Sequence, residues 1–240
     1  MKAMVLAAGL GTRLKPITDS RPKALVEIAG QTLLQITLLR LRDYGIQDVI
    51  VNDHHFADMI IDYLKANDNF GMHIAVSYED VLLDTGGGLK KAAWFFLRDG
   101  NDEPFVLHNV DVISTIDLQQ MVQFHVKNGA LATLAVKDRE TSRPLLFDEH
   151  LQLCGRGPAG DPTRLSLAFS GIHVISPRLL PMLLHNEGPF SIITSYLDLA
   201  AGGERILAFR ADEYYWRDLG KPNDLSQAAE DIKQGLTTTN

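Results

Sequence analysis

The chain has 240 residues, enough for one large domain or two small ones around a substantial core. Apolar residues make up 45 % and charged residues 22 %, the balance of a soluble globular protein rather than a disordered, collagenous or coiled-coil one. With 23 Lys and Arg against 30 Asp and Glu, the net charge is −7, so a global electrostatic grip on nucleic acid or anionic membrane is not expected. A few cations and backbone amides focused in one cleft would still bind an anionic substrate.

Cys154 is the single cysteine, which excludes an intrachain disulfide and a thiolate metal cage; it reads as a buried free thiol. The apolar run at the start is too short for a signal peptide and is interrupted at Gly9. No stretch approaches the roughly 18 apolar residues of a membrane span, so a soluble, cytoplasmic protein is expected.

In chain order, residues 3–8 read as a buried strand ending at glycines. Residues 32–44 carry a helical apolar stripe stopped by Gly45, and 49–51 form the next strand. A helix over 59–64, a strand over 74–76, a helix over 89–97 and a strand over 105–107 follow. Asp117 caps a helix reaching Val126, before a strand over 131–136. From about residue 141 the pattern changes to a hairpin (145–147 with 152–153), a Gly/Pro/Asp-rich loop (156–164), a strand (167–175) and a helix from Pro177. A strand over 206–209 and a last helix opened by Pro222 complete the series. The alternation predicts an α/β fold: a Rossmann-like, mostly parallel mixed sheet with helices on both faces and its ligands beyond the strands' carboxyl ends. It is read as one domain over 1–234, with a nucleotide-binding part (1–140), a sugar-binding, lid-like part (141–234) and a frayed tail (235–240).

The chemistry concentrates in the loop after the first strand. Gly9 and Gly11 let backbone amides turn toward an anion, and Arg13, Lys15 and Lys23 lie within one loop of an otherwise acidic chain. Arg offers a planar fork to phosphate oxygens and Lys a point charge; a solvated surface role suits Lys15 and Arg21. Leu14 stands where a dinucleotide fingerprint or a P-loop would need a small residue, so neither template fits. Asp111 closes a strand and Asp218 lies in a late Trp-Arg-Asp-Leu-Gly run. Each alone reads as a cap or turn residue; together, after a phosphate loop, they suit Mg²⁺.

The run G-L-G-T-R-L-K-P-I-T followed by P-K-A-L, over 9–25, resembles the sugar-phosphate nucleotidyltransferases (NDP-sugar pyrophosphorylases) at every fixed position of their signature, G-x-G-T-R-L-x-P-x-T-x-x-x-P-K-x-L. The resemblance extends to about residue 225. It is greatest to short members such as N-acetylmuramate-1-phosphate uridylyltransferases and mannose-1-phosphate guanylyltransferase-like proteins. It implies the nucleotide-diphospho-sugar transferase fold and a transfer of a nucleotidyl group to a sugar 1-phosphate with release of pyrophosphate. By this resemblance Ala7, Ala8, Gly9, Gly11 and Thr12 cradle the nucleotide, Arg13 holds the outgoing pyrophosphate, and Lys23 contacts phosphate at the reacting centre. Asp111 and Asp218 match the family's metal-binding aspartates, with Val110 replacing the usual glycine. Glu79, Thr85 and Gly86 fall on the base-reading loop, and Asn109 and Gly171 on the sugar side. The family's Glu-Lys pair for the sugar phosphate has no clear match; Arg143 or Arg217 could substitute. The implied partners are a nucleoside triphosphate, UTP before GTP, and a sugar 1-phosphate, with Mg²⁺ as cofactor. A non-sugar phosphate acceptor such as phosphocholine, or a non-catalytic nucleotide-sugar sensor, are the alternatives. The histidines show no metal spacing and read as structural or solvated.

Overall fold

A strand with a continuous apolar run must be covered on both faces, and in β1 (Lys2–Leu6), apolar after Lys2, Ala3, Met4 and Val5 are fully buried. The computed structural model describes residues 1–236 except Ala159 and Pro162. After β1 come a loop and the short antiparallel pair β2 (Glu27–Ile28) and β3 (Gln31–Thr32). Helix α1 (Leu33–Asp43) begins where Thr32 Oγ1 accepts the Gln35 N–H at 3.0 Å, and Gly45, with φ of 76°, ends it. Next are β4 (Asp48–Asp53), α2 (Ala57–Ala66) and β5 (His73–Tyr78). β1 pairs in parallel with β4, and β4 with β5; α1 and α2 supply the crossovers that parallel pairing requires.

The chain continues through α3 (Asp84–Lys91), α4 (Ala93–Leu97), β6 (Phe105–Asn109), β7 (Val112–Ser114), α5 (Leu118–Lys127) and β8 (Ala132–Lys137). Then come β9 (Leu145–Phe147), β10 (Leu153–Arg156), β11 (Leu165–Ile175), α6 (Leu179–Met182) and α7 (Ile192–Ala201). β12 (Ile206–Arg210), β13 (Trp216–Asp218) and α8 (Pro222–Lys233) close the described chain. Pro222 stands in the first turn of α8, where its missing N–H costs nothing.

The elements form two compact units. One holds Met1–Leu82, His108–Ile116 and Tyr214–Asn240; the other holds Leu83–Leu107 and Asp117–Glu213. None of the four boundaries falls at residue 140, and each unit gathers stretches from both halves of the sequence. The first unit carries the parallel set β1, β4 and β5 and the antiparallel ribbon β7–β13. In the second, β12 runs parallel to β8, while β11 is antiparallel to β8 and β9, and β9 to β10. The fold is therefore α/β with mixed pairing. The hairpin expected over 145–153 forms, as β9 and β10.

Three local expectations are corrected. Cys154 is exposed, its thiol donating to the Leu146 carbonyl at 3.3 Å, because β10 presents it outward between buried Leu153 and half-buried Gly155. The helix expected from residue 89 begins at Asp84, so the three consecutive glycines are helical. Gly235 and Leu236 donate their N–H groups to Ile232 and Asp231, a glycine-capped helix end rather than a frayed one; residues 237–240 of the expected tail lie outside the described residues. Among the described residues no helix is long and apolar enough to cross a membrane.

Candidate active site

The first unit collects Ala7, Ala8, Gly9, Gly11, Thr12, Arg13, Lys23, Glu79, Asn109, Asp111 and Asp218; Thr85, Gly86 and Gly171 lie in the second. The loop after β1 is shaped by Gly11. Its φ of 62° is left-handed, and a Cβ there would stand 2.8 Å from Thr18 Cγ2 and 3.2 Å from Lys23 Cβ. The Thr18 hydroxyl and the Leu14 N–H both donate to the Gly11 carbonyl at 2.8 Å, folding the loop back so that Lys23 enters the interior. Gly9 is exposed, and a Cβ added to it would meet nothing within 4 Å, which leaves open space against its backbone.

Lys23 is 7 % exposed, and its ammonium forms an ion pair with Asp111 Oδ2. Lys15 in the same loop is exposed and pairs with Asp19 four residues on, at 3.1 Å, in keeping with a surface role. Asp111 and Asp218 meet because β7 and β13 pair antiparallel: Asp218 stands opposite Val112, and the Leu219 N–H donates to the Asp111 carbonyl at 2.8 Å. Burial, and after it the Asp111 carboxylate, hold the Asp218 carboxyl above its usual range, against the pull of Lys23, Arg13 and the Gly220 backbone. A Cβ at Gly220 would collide with the Arg13 guanidinium and stand 2.7 Å from Asp218 Oδ1, so a larger residue there would require the Arg13 side chain to shift. Two cations and two carboxylates thus share one corner of the unit.

The donor set fits a hard divalent cation. Asp218 gains from any positive charge that relieves its repulsion with Asp111, and Mg²⁺ is commonly held by one or two carboxylates while it keeps waters and phosphate oxygens. Among the described residues no three His, Cys, Asp or Glu form a metal cluster, so these two carboxylates stand as a pair.

Glu79 differs from its expected place. It is fully buried and presents no surface to a base in this conformation. Its Oε1 accepts the Asn52 amide at 2.7 Å, and Asn52 Oδ1 accepts the Ala7 N–H, also at 2.7 Å. Glu79 is thereby linked through Asn52 to the Ala7 amide at the start of the loop after β1; the sequence gives no hint of Asn52, because an Asn inside a strand carries no distinctive signal. Thr85 and Gly86 also have partners within their own unit. Thr85 Oγ1 accepts the Ile192 N–H at 3.0 Å at the start of α7, and Gly86 donates to the Phe190 carbonyl at 2.9 Å. Gly171 has φ of 77° in a bulge of β11, between the paired residues Phe169 and His173. Asn109 is half-buried at the end of β6. Arg217 is not available as a phosphate anchor: its guanidinium is bound to Asp231 at 2.8 Å. His108, His125 and His173 are buried, and burial pushes His108 and His125 down to about 4, so these two are neutral structural groups.

Residues 2–144 match the profile of the nucleotidyl transferase family. The N-acetylmuramate alpha-1-phosphate uridylyltransferase of Caulobacter vibrioides is 34 % identical over 230 residues, covering 92 % of each chain. The mannose-1-phosphate guanyltransferase of Yarrowia lipolytica is 29 % identical over 93 % of this chain, which spans only 62 % of that longer protein. The crystal structure of a UDP-glucose pyrophosphorylase complexed with UDP-glucose superimposes with a TM-score of 0.80 over 98 % of both chains, at 18 % identity, a likeness of fold. On the family profile and the Caulobacter relative together, this chain belongs to the nucleotidyl transferase family.

Proposed function

We propose that the protein is a Mg²⁺-dependent sugar-1-phosphate nucleotidyltransferase that uses UTP, with GTP the next best donor. The observation that carries this reading is the buried Lys23 paired with Asp111, beside Asp218 and Arg13, at the end of an open glycine loop. A phosphate oxygen of the sugar 1-phosphate attacks the α-phosphorus in line. The new P–O bond forms as the α–β bridging P–O bond breaks, and its electron pair leaves with pyrophosphate. The nucleophile is already an anion, so no general base is needed. The work of the protein is to hold two mutually repelling anions together.

Lys23 and Arg13 oppose charge on the transferring and leaving phosphates, and the loop amides from Ala7 to Thr12 cradle the nucleotide. Asp111 and Asp218 would hold Mg²⁺, which supplies Lewis-acid charge stabilisation at the phosphates. Glu79 orients Asn52 and the Ala7 amide at the nucleotide's entrance. The preference for UTP leans on the uridylyltransferase that this chain matches across nearly its whole length.

The test is pyrophosphate release from four nucleoside triphosphates against a panel of sugar 1-phosphates, with phosphocholine as the non-sugar acceptor. UTP with one sugar 1-phosphate should give the highest turnover, and Asp111→Asn should reduce it by roughly 10² or more while the protein stays folded. Turnover with phosphocholine alone, or none with any pair, refutes the reading.

A further inference from the structure

β7 and β13 are three residues each, too short to hold a shape unaided, yet the proposed metal pair depends on this ribbon. Within it the Thr115 N–H donates to the Tyr215 carbonyl and the Tyr215 N–H to Thr115 Oγ1, both at 3.0 Å. On the β13 side it is also supported by α8. Asp231, 4 % exposed, accepts at Oδ2 the Tyr215 hydroxyl at 2.6 Å, Arg217 Nε at 2.9 Å and Arg217 Nη2 at 2.8 Å. Its Oδ1 accepts the Gln227 amide at 3.0 Å, which fixes the carboxylate on its own helix. Burial, followed by Asp231 itself, pushes the Tyr215 phenol up to about 12, so it remains a donor across the working pH range.

Successive strand residues point to opposite faces. Tyr215 and Arg217 therefore face α8, while Asp218, one peptide bond on, faces Arg13, Lys23 and Asp111. The rotation of this short strand about its own axis is constrained by its ladder with β7 and, from the other face, by the Arg217–Asp231 pair. We infer that Asp231 is a positioning residue: by clamping Tyr215 and Arg217 from α8, it sets the direction in which Asp218 presents its carboxylate. The inference rests on the proposed role of Asp218 as a metal ligand and extends it to a residue distant from the phosphate loop in sequence.

The test measures Mn²⁺ affinity directly by electron paramagnetic resonance, without turnover, beside kcat and the KM for the triphosphate. Asp231→Ala should weaken Mn²⁺ binding by about tenfold or more and lower kcat more than it raises KM. Asp231→Asn keeps an oxygen that accepts from Tyr215 and should recover part of both, and it carries the test if the alanine variant does not fold. Glu230→Gln, on the exposed side of the same helix and paired with Lys233, should leave Mn²⁺ affinity unchanged. A lower melting temperature with unaltered Mn²⁺ affinity in the Asp231 variants makes the clamp purely structural and overturns the inference. If Asp218→Asn itself retains Mn²⁺ affinity, the reading of Asp218 as a ligand fails first and the inference with it.

Discussion

Asp53 shows how much a single side chain at the end of a strand can cost. It is 1 % exposed at the end of β4, and among the described residues neither carboxylate oxygen has a well-formed hydrogen bond. Burial pushes its carboxyl up to about 6; the His54 backbone and the His54 and His55 rings pull the other way, and Glu79 adds a little to the rise. The folded protein therefore holds this proton more tightly than the unfolded chain, whose value stays near 3.8. The stability so gained is complete below that value and lost as pH rises through about 6. Asp53→Asn keeps the shape without the buried charge. It should raise the melting temperature at pH 7.5, by a stabilisation on the order of 1–3 kcal/mol, and make little difference at pH 4. Thermal melts at both pH values decide the point: no gain at pH 7.5, or the same gain at pH 4, would show that ionisation of Asp53 is not the cost.

At the scale of elements, the sequence is most legible where local pattern and tertiary role agree. α1 has its threonine cap, apolar stripe and terminal glycine in plain view, and β1 its unbroken apolar run. The cations of the loop after β1 and the two aspartates are visible as residue types, although Asp111 lies in the turn between β6 and β7 rather than closing a strand, and the ribbon β7–β13 explains why two aspartates far apart in sequence share a corner. α3 is where local pattern misleads. Three glycines are poor helix formers and read as a turn, but the first turn of α3 packs against the segment carrying Phe190. A Cβ at Gly86 would run into the Phe190 ring and stand 2.9 Å from its carbonyl oxygen, while the Gly86 N–H donates to that same oxygen. Contact rather than propensity dictates the residue, and a contact with a segment a hundred residues away leaves no local trace. Gly86→Ala should therefore destabilise the protein by roughly 1–3 kcal/mol through overpacking, despite alanine's better helix propensity. Chemical denaturation of this variant, and of its combination with Phe190→Leu, provides the measurement. The second change should recover part of the loss, and an alanine variant as stable as the parent would remove the packing explanation.

For the whole molecule, the chain crosses between its two units after residues 82, 107, 116 and 213, so neither unit is a continuous segment. The region 2–144 that carries the family profile therefore takes in parts of both units and the whole of neither. A fragment ending at residue 140, where composition changes and the sequence suggests a division, would contain β7 without its partner β13, and Asp111 without Asp218. It would also lack α8, and with it Asp231, the anchor of Tyr215 and Arg217. The second unit would fare worse. β8 is buried at its first five positions and pairs with β11 on one side and β12 on the other. In the fragment both partners are missing, leaving a largely apolar six-residue strand with two open edges. Such a strand templates association with other chains. Fragment 1–140 should therefore fail to give a dispersed, cooperatively folded monomer and should aggregate at micromolar concentration. Size-exclusion chromatography with a denaturant titration monitored by circular dichroism tests this. A monomeric fragment with a sigmoidal unfolding transition would mean that the first 140 residues fold independently, and that the interleaving of the units does not govern how this chain reaches its structure.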